Sequence, residues 1–193
     1  METPAEALTR DEFALARWRF ADGSALAAAV SGSGAHLADW LPWAAGGYTA
    51  DDAAAYLRLT HENWETGRAY EYAVRAGGRL AGGIGVLTRA GGVELGYWLV
   101  RGFTGRGLIT RAAATLIADA FRRGAGYVEI KHDELNARSG AIPARLGFSP
   151  ARKETADPDR APACTGTAVV WRLDRPEKGV LAHGNPGRDL PRR

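Results

Sequence analysis

A glycine-rich loop, Gly102 to Gly107 (GFTGRG), follows an apolar segment and precedes a stretch with helical spacing. Glycines carry no Cβ, so backbone N–H groups in such a loop can converge on an anion at the positive end of the helix that follows. Arg106 adds a charge-assisted hydrogen-bond donor. Strand, loop and helix in this order predict a pocket for a phosphate group.

The order of the glycines limits which phosphate ligand the loop can bind. A dinucleotide fingerprint needs G-x-G-x-x-G and an acidic residue about 20 residues later, whereas this chain has G-x-x-G-x-G. A Walker loop needs G-K-[ST], and that tripeptide does not occur in the sequence. A plain turn that links a strand to a helix is the alternative that the loop alone leaves open.

The elements around this loop have an α/β pattern. Strands are predicted at 17–20, 70–76, 79–87, 94–100, 127–132 and 168–173, and helices at 23–30, 50–66, from 109 onward and at 136–145. Asp51 is the predicted cap of the second helix, and Gly124 and Gly147 end the last two. Because a helix connects them, the strands at 94–100 and 127–132 should be parallel. The pattern predicts a mixed, mostly antiparallel sheet flanked by helices.

Length and composition predict a single domain. The chain has 193 residues, of which 46% are hydrophobic, and this is enough for one sizeable core. We expect the domain to cover 10–175 and a flexible basic tail to cover 176–193. The apolar run Ala25 to Val30 is too short to span a bilayer, and no signal-peptide pattern precedes it. A cytoplasmic location is therefore expected.

Charge and cysteine content exclude several classes of site. Cys164 is the only cysteine, so neither an intramolecular disulfide nor a cysteine-cluster metal site can form, and no metal is expected. The net charge of +3 lies partly in the tail, and no RNA-binding motif accompanies it. A basic face beside the phosphates of an adenine nucleotide explains the rest as well as nucleic acid does.

Several segments together resemble a known enzyme superfamily. They are ELGYWLV at 94–100, GFTGRGLITRA at 102–112 and EIKHDELNARSGAIPARLGF at 129–148, with HLADWLPW at 36–43 and GGRLAGGIGVL at 77–87. This set is similar to the GCN5-related N-acetyltransferases, and within them to the RimJ and RimL group that acetylates the N-termini of ribosomal proteins. The resemblance covers roughly 18–173, which is nearly the whole chain.

The resemblance implies a coenzyme A cleft between the two parallel strands, which splay apart there. The residues that would bind acetyl-coenzyme A are Trp98, Leu99, Val100, Thr104, Gly105, Arg106, Gly107, Leu108, Ile109, Asn136 and Ser139. Two positions depart from the superfamily pattern. Gly102 stands where many members carry Gln or Arg, and Pro143 stands where many carry a tyrosine that protonates the thiolate.

Acetyl transfer requires an amine to lose a proton and attack a thioester. The resemblance points to Ser139 as the proton donor to the departing thiolate, and a backbone N–H near Leu99 or Val100 can stabilise the oxyanion. Glu94 ranks first as the general base. Asp157, Glu154, His132 and a water chain remain alternatives, because an α-amine with a pKa near 8 needs only a weak base.

The acceptor is less well defined by the sequence. Trp40 and Trp43 can wall a slot for an amine, and Asp157 lies in a loop that the resemblance places beside the substrate. A protein or peptide N-terminus is the first expectation for the acceptor, and a small amine such as an antibiotic or a peptide metabolite is the second. A non-catalytic acyl-coenzyme A-binding module is the alternative from a different class. A homodimer is a further expectation.

Overall fold

One mixed sheet organises the fold. The computed structural model describes residues 2–10, 13–155 and 160–176. The strands in these residues are β1 (Ala7–Arg10), β2 (Phe13–Arg17), β3 (Ala69–Ala76), β4 (Arg79–Arg89), β5 (Gly92–Leu99), β6 (Tyr127–Asp133), β7 (Ser149–Thr155) and β8 (Thr167–Asp174). The helices are α1 (Gly23–Ser31), α2 (Ala35–Ala38), α3 (Pro42–Ala45), α4 (Ala50–Thr66), α5 (Leu108–Arg122) and α6 (Ala137–Arg145).

The strand order is β1-β2-β3-β4-β5-β6-β8-β7, and only the pair β5 and β6 is parallel. These two strands pair from Val93 with Val128 to Leu95 with Ile130, although both continue beyond that point. They therefore splay apart at the carboxyl end of β5. The predicted mixed sheet with a splayed parallel pair is confirmed.

Helices cover both faces of the sheet because successive strand residues point to opposite sides. On β3, Tyr72 belongs to the same buried cluster as Leu116 of α5, whereas its neighbour Ala73 belongs to a second cluster with Leu26 of α1 and Leu57 of α4. One face therefore carries α5 and the other carries α1 and α4. Strand β5 lies between both layers, so its alternate side chains reach different faces.

The N-terminal elements differ from the prediction. A strand was expected at 17–20, but β2 ends at Arg17 and a 3-10 turn follows at Phe20–Asp22. The alternating residues Phe13 and Leu15 are buried, whereas Phe20 is 62% exposed. The strand therefore forms from the residues that can be buried, which lie earlier in the chain than predicted. The cap of α4 is Thr49 rather than Asp51, since Thr49 and Asp52 form a reciprocal capping box.

Two edge strands, β1 and β7, were not predicted. β7 (SPARKET) has almost no buried residue, so no hydrophobic alternation marked it. It is held instead by its pairing with β8 and by Arg152, which binds Glu129 of β6 through two hydrogen bonds of 2.7 and 3.0 Å. β1 extends the sheet ahead of the expected domain start at residue 10.

The predicted basic tail lies outside the described residues from position 177 onward. Within the described ranges, none of the helices combines the length and the apolar character that a bilayer-spanning helix requires.

Candidate active site

The splay between β5 and β6 exposes backbone groups of β5. The Val100 N–H donates to the Ala81 carbonyl at 2.8 Å, on the β4 side. In an antiparallel pair, successive N–H groups point alternately toward and away from the partner strand. The Leu99 N–H therefore points toward the opening, whereas the Val100 N–H is already paired.

The glycine loop lies at one wall of this opening. Gly105 and Gly107 have φ of +76° and +68°, a left-handed conformation that L side chains rarely adopt. Gly107 is the N-cap of α5 and supplies no side-chain cap, so the first N–H groups of the helix are available to an anion. A cavity of about 360 Å³, the loop cavity, lies between this helix end, Leu108 to Thr110, and α6.

The charges around the loop cavity are positive. Arg138 and Arg145 of α6 line it, and no acidic residue of the described chain does. Arg106 lies with its guanidinium carbon 5.9 Å from the centre of the Phe103 ring, and Thr104 donates to the Arg101 carbonyl at 2.9 Å. Backbone N–H donors at the start of α5 and cationic side chains of α6 therefore face the same cavity. This arrangement suits a pyrophosphate.

Asn136 and Ser139 are both at the start of α6. The Asn136 side-chain oxygen accepts from the Ser139 N–H at 3.1 Å, so Asn136 caps the helix and its amide N–H groups remain as donors. The Ser139 hydroxyl donates to the Tyr97 hydroxyl oxygen at 3.3 Å, and the Tyr97 hydroxyl donates to the Ser139 carbonyl at 3.2 Å. Burial raises the pKa of Tyr97 to about 12, although the bond with Ser139 lowers it, so Tyr97 keeps its proton at neutral pH.

A smaller cavity of about 170 Å³, the junction cavity, adjoins the loop cavity at Leu99 and Arg138. Trp40, Asn136 and Ser139 line it, and so does His36. The His36 Nε2 lies 3.2 Å from the Leu99 carbonyl oxygen. Since a carbonyl can only accept, Nε2 carries the proton and Nδ1 is the accepting nitrogen. Burial lowers the pKa of His36, although the Leu99 carbonyl raises it, so the ring is neutral at pH 7.

A cavity of about 590 Å³, the large cavity, lies on the α1 and α4 face and adjoins the junction cavity at Leu41, Tyr97 and Trp98. Trp43 contacts Trp98 edge to face at a centroid distance of 5.9 Å and Tyr48 at 5.7 Å. The two tryptophans of the expected acceptor slot are thus divided: Trp40 lines the junction cavity and Trp43 the large cavity. The three cavities form a continuous path around β5.

Comparison with known families agrees with this geometry. The model of the family described as "Acetyltransferase (GNAT) domain" matches residues 13–149, more than half of the chain. The chain belongs to the GNAT acetyltransferases. It is therefore an acyltransferase, as the motifs predicted. Among curated protein sequences, none matches this chain.

Solved structures show the same fold at low identity. RimL, a ribosomal-protein α-N-acetyltransferase in complex with coenzyme A, superposes with a TM-score of 0.80 at 18% identity, over 88% of this chain and 98% of that one. The microcin C7 self-immunity acetyltransferase MccE, in complex with acetyl-CoA and AMP, gives 0.79 at 18% over 86% and 93%. RimJ from Mycobacterium smegmatis gives 0.75 at 18% over 84% and 81%. At these identities the likeness establishes the GNAT fold.

The base expected for this GNAT chain is already paired. Glu94 accepts from Arg89 at 2.9 and 3.2 Å and does not line any of the three cavities in the described structure. The role of Glu94 as the general base thus stays a prediction, and its carboxylate is hydrogen-bonded to the Arg89 guanidinium.

The alternative bases are elsewhere. Glu154 of β7 forms ion pairs with Lys131 of β6 and Arg152 of β7. The His132 Nε2 accepts from Trp171 at 2.9 Å while Nδ1 contacts the Asp133 carbonyl at 2.7 Å. Both ring nitrogens are therefore occupied, which rules against His132 as the base. Asp157 lies outside the described residues.

Three residues that line these cavities were not singled out from the sequence: Tyr97, His36 and Glu71. Tyr97 reaches Ser139 across 42 positions of the chain, a contact that sequence spacing does not reveal. His36 was visible only as part of HLADWLPW. The sequence did mark Glu71, because it is a charged residue between two tyrosines, Tyr70 and Tyr72, in a strand that follows a long helix. Both tyrosines are buried in the structure.

Proposed function

We propose that this chain transfers an acetyl group from acetyl-coenzyme A to a primary amine, and that the preferred acceptor is the N-terminal α-amine of a protein or peptide. The observation that carries the proposal is that the junction cavity, at the end of β5, adjoins two unlike cavities, the loop cavity and the large cavity. The cavity on one side is bounded by a glycine loop and cations, and the cavity on the other is aromatic and acidic. Donor and acceptor can therefore meet at the end of β5.

The donor half fits coenzyme A. The pyrophosphate would lie on the backbone N–H groups of Gly105, Gly107 and the first turn of α5, with Arg138 nearby. The pantetheine arm would run along the splay and bond to the backbone of Leu99 and to the Asn136 amide. Of the remaining predicted contacts, Leu108 and Ile109 line the loop cavity, and Trp98 and Thr104 line the junction cavity. Val100 and Arg106 are not among the residues that line these two cavities.

The reaction needs three groups at the junction cavity. The amine attacks the thioester carbon, and the Leu99 N–H stabilises the resulting oxyanion. Among the described residues that line this cavity, His36 is the one that can accept a proton near neutral pH, so we assign it the amine proton. When the carbon–sulfur bond breaks, the thiolate takes a proton through Ser139, whose hydroxyl is hydrogen-bonded to Tyr97.

The assignment of a protein or peptide N-terminus as the acceptor rests on the family group. RimL is an N-terminal acetyltransferase of the same fold. A second candidate is a small amine, which the aromatic walls of the large cavity favour. MccE, an immunity enzyme of this fold, is an example of a member with a different role.

A free-thiol assay tests the proposal. The full chain is mixed with acetyl-coenzyme A and either peptides with a free N-terminus, the same peptides with a blocked N-terminus, or small amines. Thiol release with free but not with blocked peptides is the expected result. Release only with small amines selects the second candidate. If calorimetry detects acetyl-coenzyme A binding while no amine releases thiol, the non-catalytic binding module is correct and the enzyme proposal is overturned.

The proposal includes a cytoplasmic location and a homodimer, with no direct nucleic-acid contact. Cell fractionation tests the location. Light scattering of the chain alone tests for the homodimer, and the same measurement with added nucleic acid tests for direct binding.

A further inference from the structure

The floor of the large cavity is a row of residues across three strands. In the sheet register, Glu71 of β3 is opposite Gly85 of β4, and Gly85 is opposite Gly96 of β5. A Cβ on Gly85 would lie 3.1 Å from Cγ of Glu71, so the Glu71 side chain extends over this glycine. A Cβ on Gly96 would meet no atom within 4 Å. The floor is therefore open between the Glu71 carboxylate and β5.

The Glu71 carboxylate is incompletely paired. Its Oε2 atom is buried and has no hydrogen-bond partner among the described residues, whereas the carboxyl does receive a side-chain hydrogen bond from Asn63. Burial raises the pKa of this carboxyl, and the Asn63 bond lowers it. A buried carboxylate oxygen that lacks a donor is unfavourable unless a ligand supplies one.

The walls of the cavity complement a cation. Trp43, Tyr48 and Trp98 form the edge-to-face aromatic series, and aromatic faces attract ammonium groups. The described lining includes two acidic residues, Glu71 and Asp52, and no basic side chain. Charge and shape therefore favour a positively charged group attached to an apolar body.

We infer that Glu71 anchors a second cationic group of the acceptor, distinct from the amine that is acetylated. Leu99 is three residues beyond Gly96, about 10 Å along β5, so Glu71, which is in register with Gly96, is too far from the Leu99 N–H to serve the reacting amine. The acceptor class is an amine that carries a second cation about 10 Å away across an apolar linker. A free diamine and a peptide N-terminus with a nearby lysine both have this chemistry. The inference rests on the proposed function in assuming that the large cavity receives the acceptor.

Matched acceptors test the anchor. Thiol release is measured for diaminooctane against octylamine, and for a short lysine-containing peptide against its norleucine counterpart. In the wild-type chain we expect the second cation to lower KM about tenfold. Whether the diamine, the peptide or both show this effect identifies which of them supplies the cation that Glu71 binds. In Glu71→Gln the two members of each pair should have equal KM.

Glu62→Gln is the matched control, because Glu62 is an exposed acid of α4 that pairs with Arg68. It should leave the preference unchanged. Calorimetry of diaminooctane and octylamine binding provides a readout that needs no turnover. If the diamine binds more tightly in wild type and not in Glu71→Gln, but no amine is acetylated, the cation site stands and the proposed function fails. If amines are acetylated and neither KM nor binding distinguishes the matched pairs, the anchor is overturned.

Discussion

Ser139 and Tyr97 form a two-hydroxyl unit where many superfamily members use one tyrosine. Pro143 occupies the position of that tyrosine and has no proton to donate. Tyr97 comes instead from β5 and contacts Ser139 at 3.3 Å. With a pKa near 12, Tyr97 stays protonated across the working range. The pair therefore supplies a hydroxyl beside the expected position of the sulfur without a helix tyrosine.

Removing either hydroxyl should slow turnover more than it weakens cofactor binding. We expect Ser139→Ala to lower kcat by about 100-fold, since a positioned proton donor contributes that order of rate. Tyr97→Phe should lower it less, because the phenol acts through Ser139. The Kd of acetyl-coenzyme A, measured by calorimetry, should change by less than about threefold for both. An unaltered kcat in Ser139→Ala at saturating substrate would remove Ser139 from the mechanism.

The pH profile separates His36 from Glu94 as the base. A general base works only when deprotonated, and burial lowers the pKa of His36 below its usual value near 6.5. In the wild-type chain kcat should therefore be retained to pH 6.5 and fall below it. His36→Gln should reduce kcat and abolish this acidic limb, whereas Glu94→Gln should keep it. The reverse pattern in the two variants assigns the base to Glu94.

At the scale of elements, the glycine loop and the start of α5 form the part of the site that was most fully predicted. Helical spacing and glycines are local properties, so α5 and its loop follow from neighbouring residues. The α4 cap was displaced to Thr49 because a reciprocal pair with Asp52 satisfies both N–H groups, which Asp51 alone cannot do. β7 depends on ion pairs with β6, and such long-range partners leave no periodic pattern in the sequence. The contacts of Glu71 and Tyr97 likewise depend on strand register and splay.

A negative charge in the loop should abolish donor binding. Gly105→Glu introduces a carboxylate at the anion site, and we expect the Kd for acetyl-coenzyme A to rise by at least about 100-fold, by repulsion of the phosphates. Gly105→Gln is the matched control, since it has the same shape and the same backbone strain at φ of +76° but no charge. A similar loss in both variants by calorimetry would attribute the effect to strain rather than to phosphate.

At the scale of the whole molecule, two glutamates on opposite sides of β5 respond oppositely to acid. Arg152 of β7 holds the pKa of Glu129 of β6 below its usual range, across the intervening strand β8. Burial raises the pKa of Glu71 on the acceptor side. A lowered pKa in the folded state adds stability above the unfolded value, which is lost as pH falls. A folded-state pKa that is raised reduces stability at pH values above the unfolded pKa, and this loss of stability disappears as pH falls.

Thermal unfolding against pH tests this contrast. At pH 7, Glu129→Gln should be less stable than wild type, by no more than about 1 kcal/mol because Arg152 is half exposed and solvent screens the pair. Glu71→Gln should be more stable by about 1 kcal/mol, as is common when a binding group is removed. The Glu71→Gln difference should shrink as pH falls toward the unfolded pKa of about 4.3, because the raised pKa of Glu71 is titrated above that value. The Glu129→Gln difference should shrink only as pH falls below the unfolded value, because the pKa of Glu129 is lowered. A Glu71→Gln difference that is the same at pH 3.5 as at pH 7, or a Glu129→Gln difference that shrinks above the unfolded pKa, would contradict the linkage.

A floor of glycines makes the acceptor range of this chain easy to change by mutation. A side chain at Gly96 would meet no other atom within 4 Å, and its backbone does not have a positive φ. Glycine codons differ by a single base from those for alanine, valine, an acidic residue or arginine. One nucleotide substitution at this position therefore adds a methyl group, a branched chain or a charge to the acceptor cavity and leaves the coenzyme A loop intact. A single nucleotide substitution at this position is therefore expected to change which acceptors the large cavity admits.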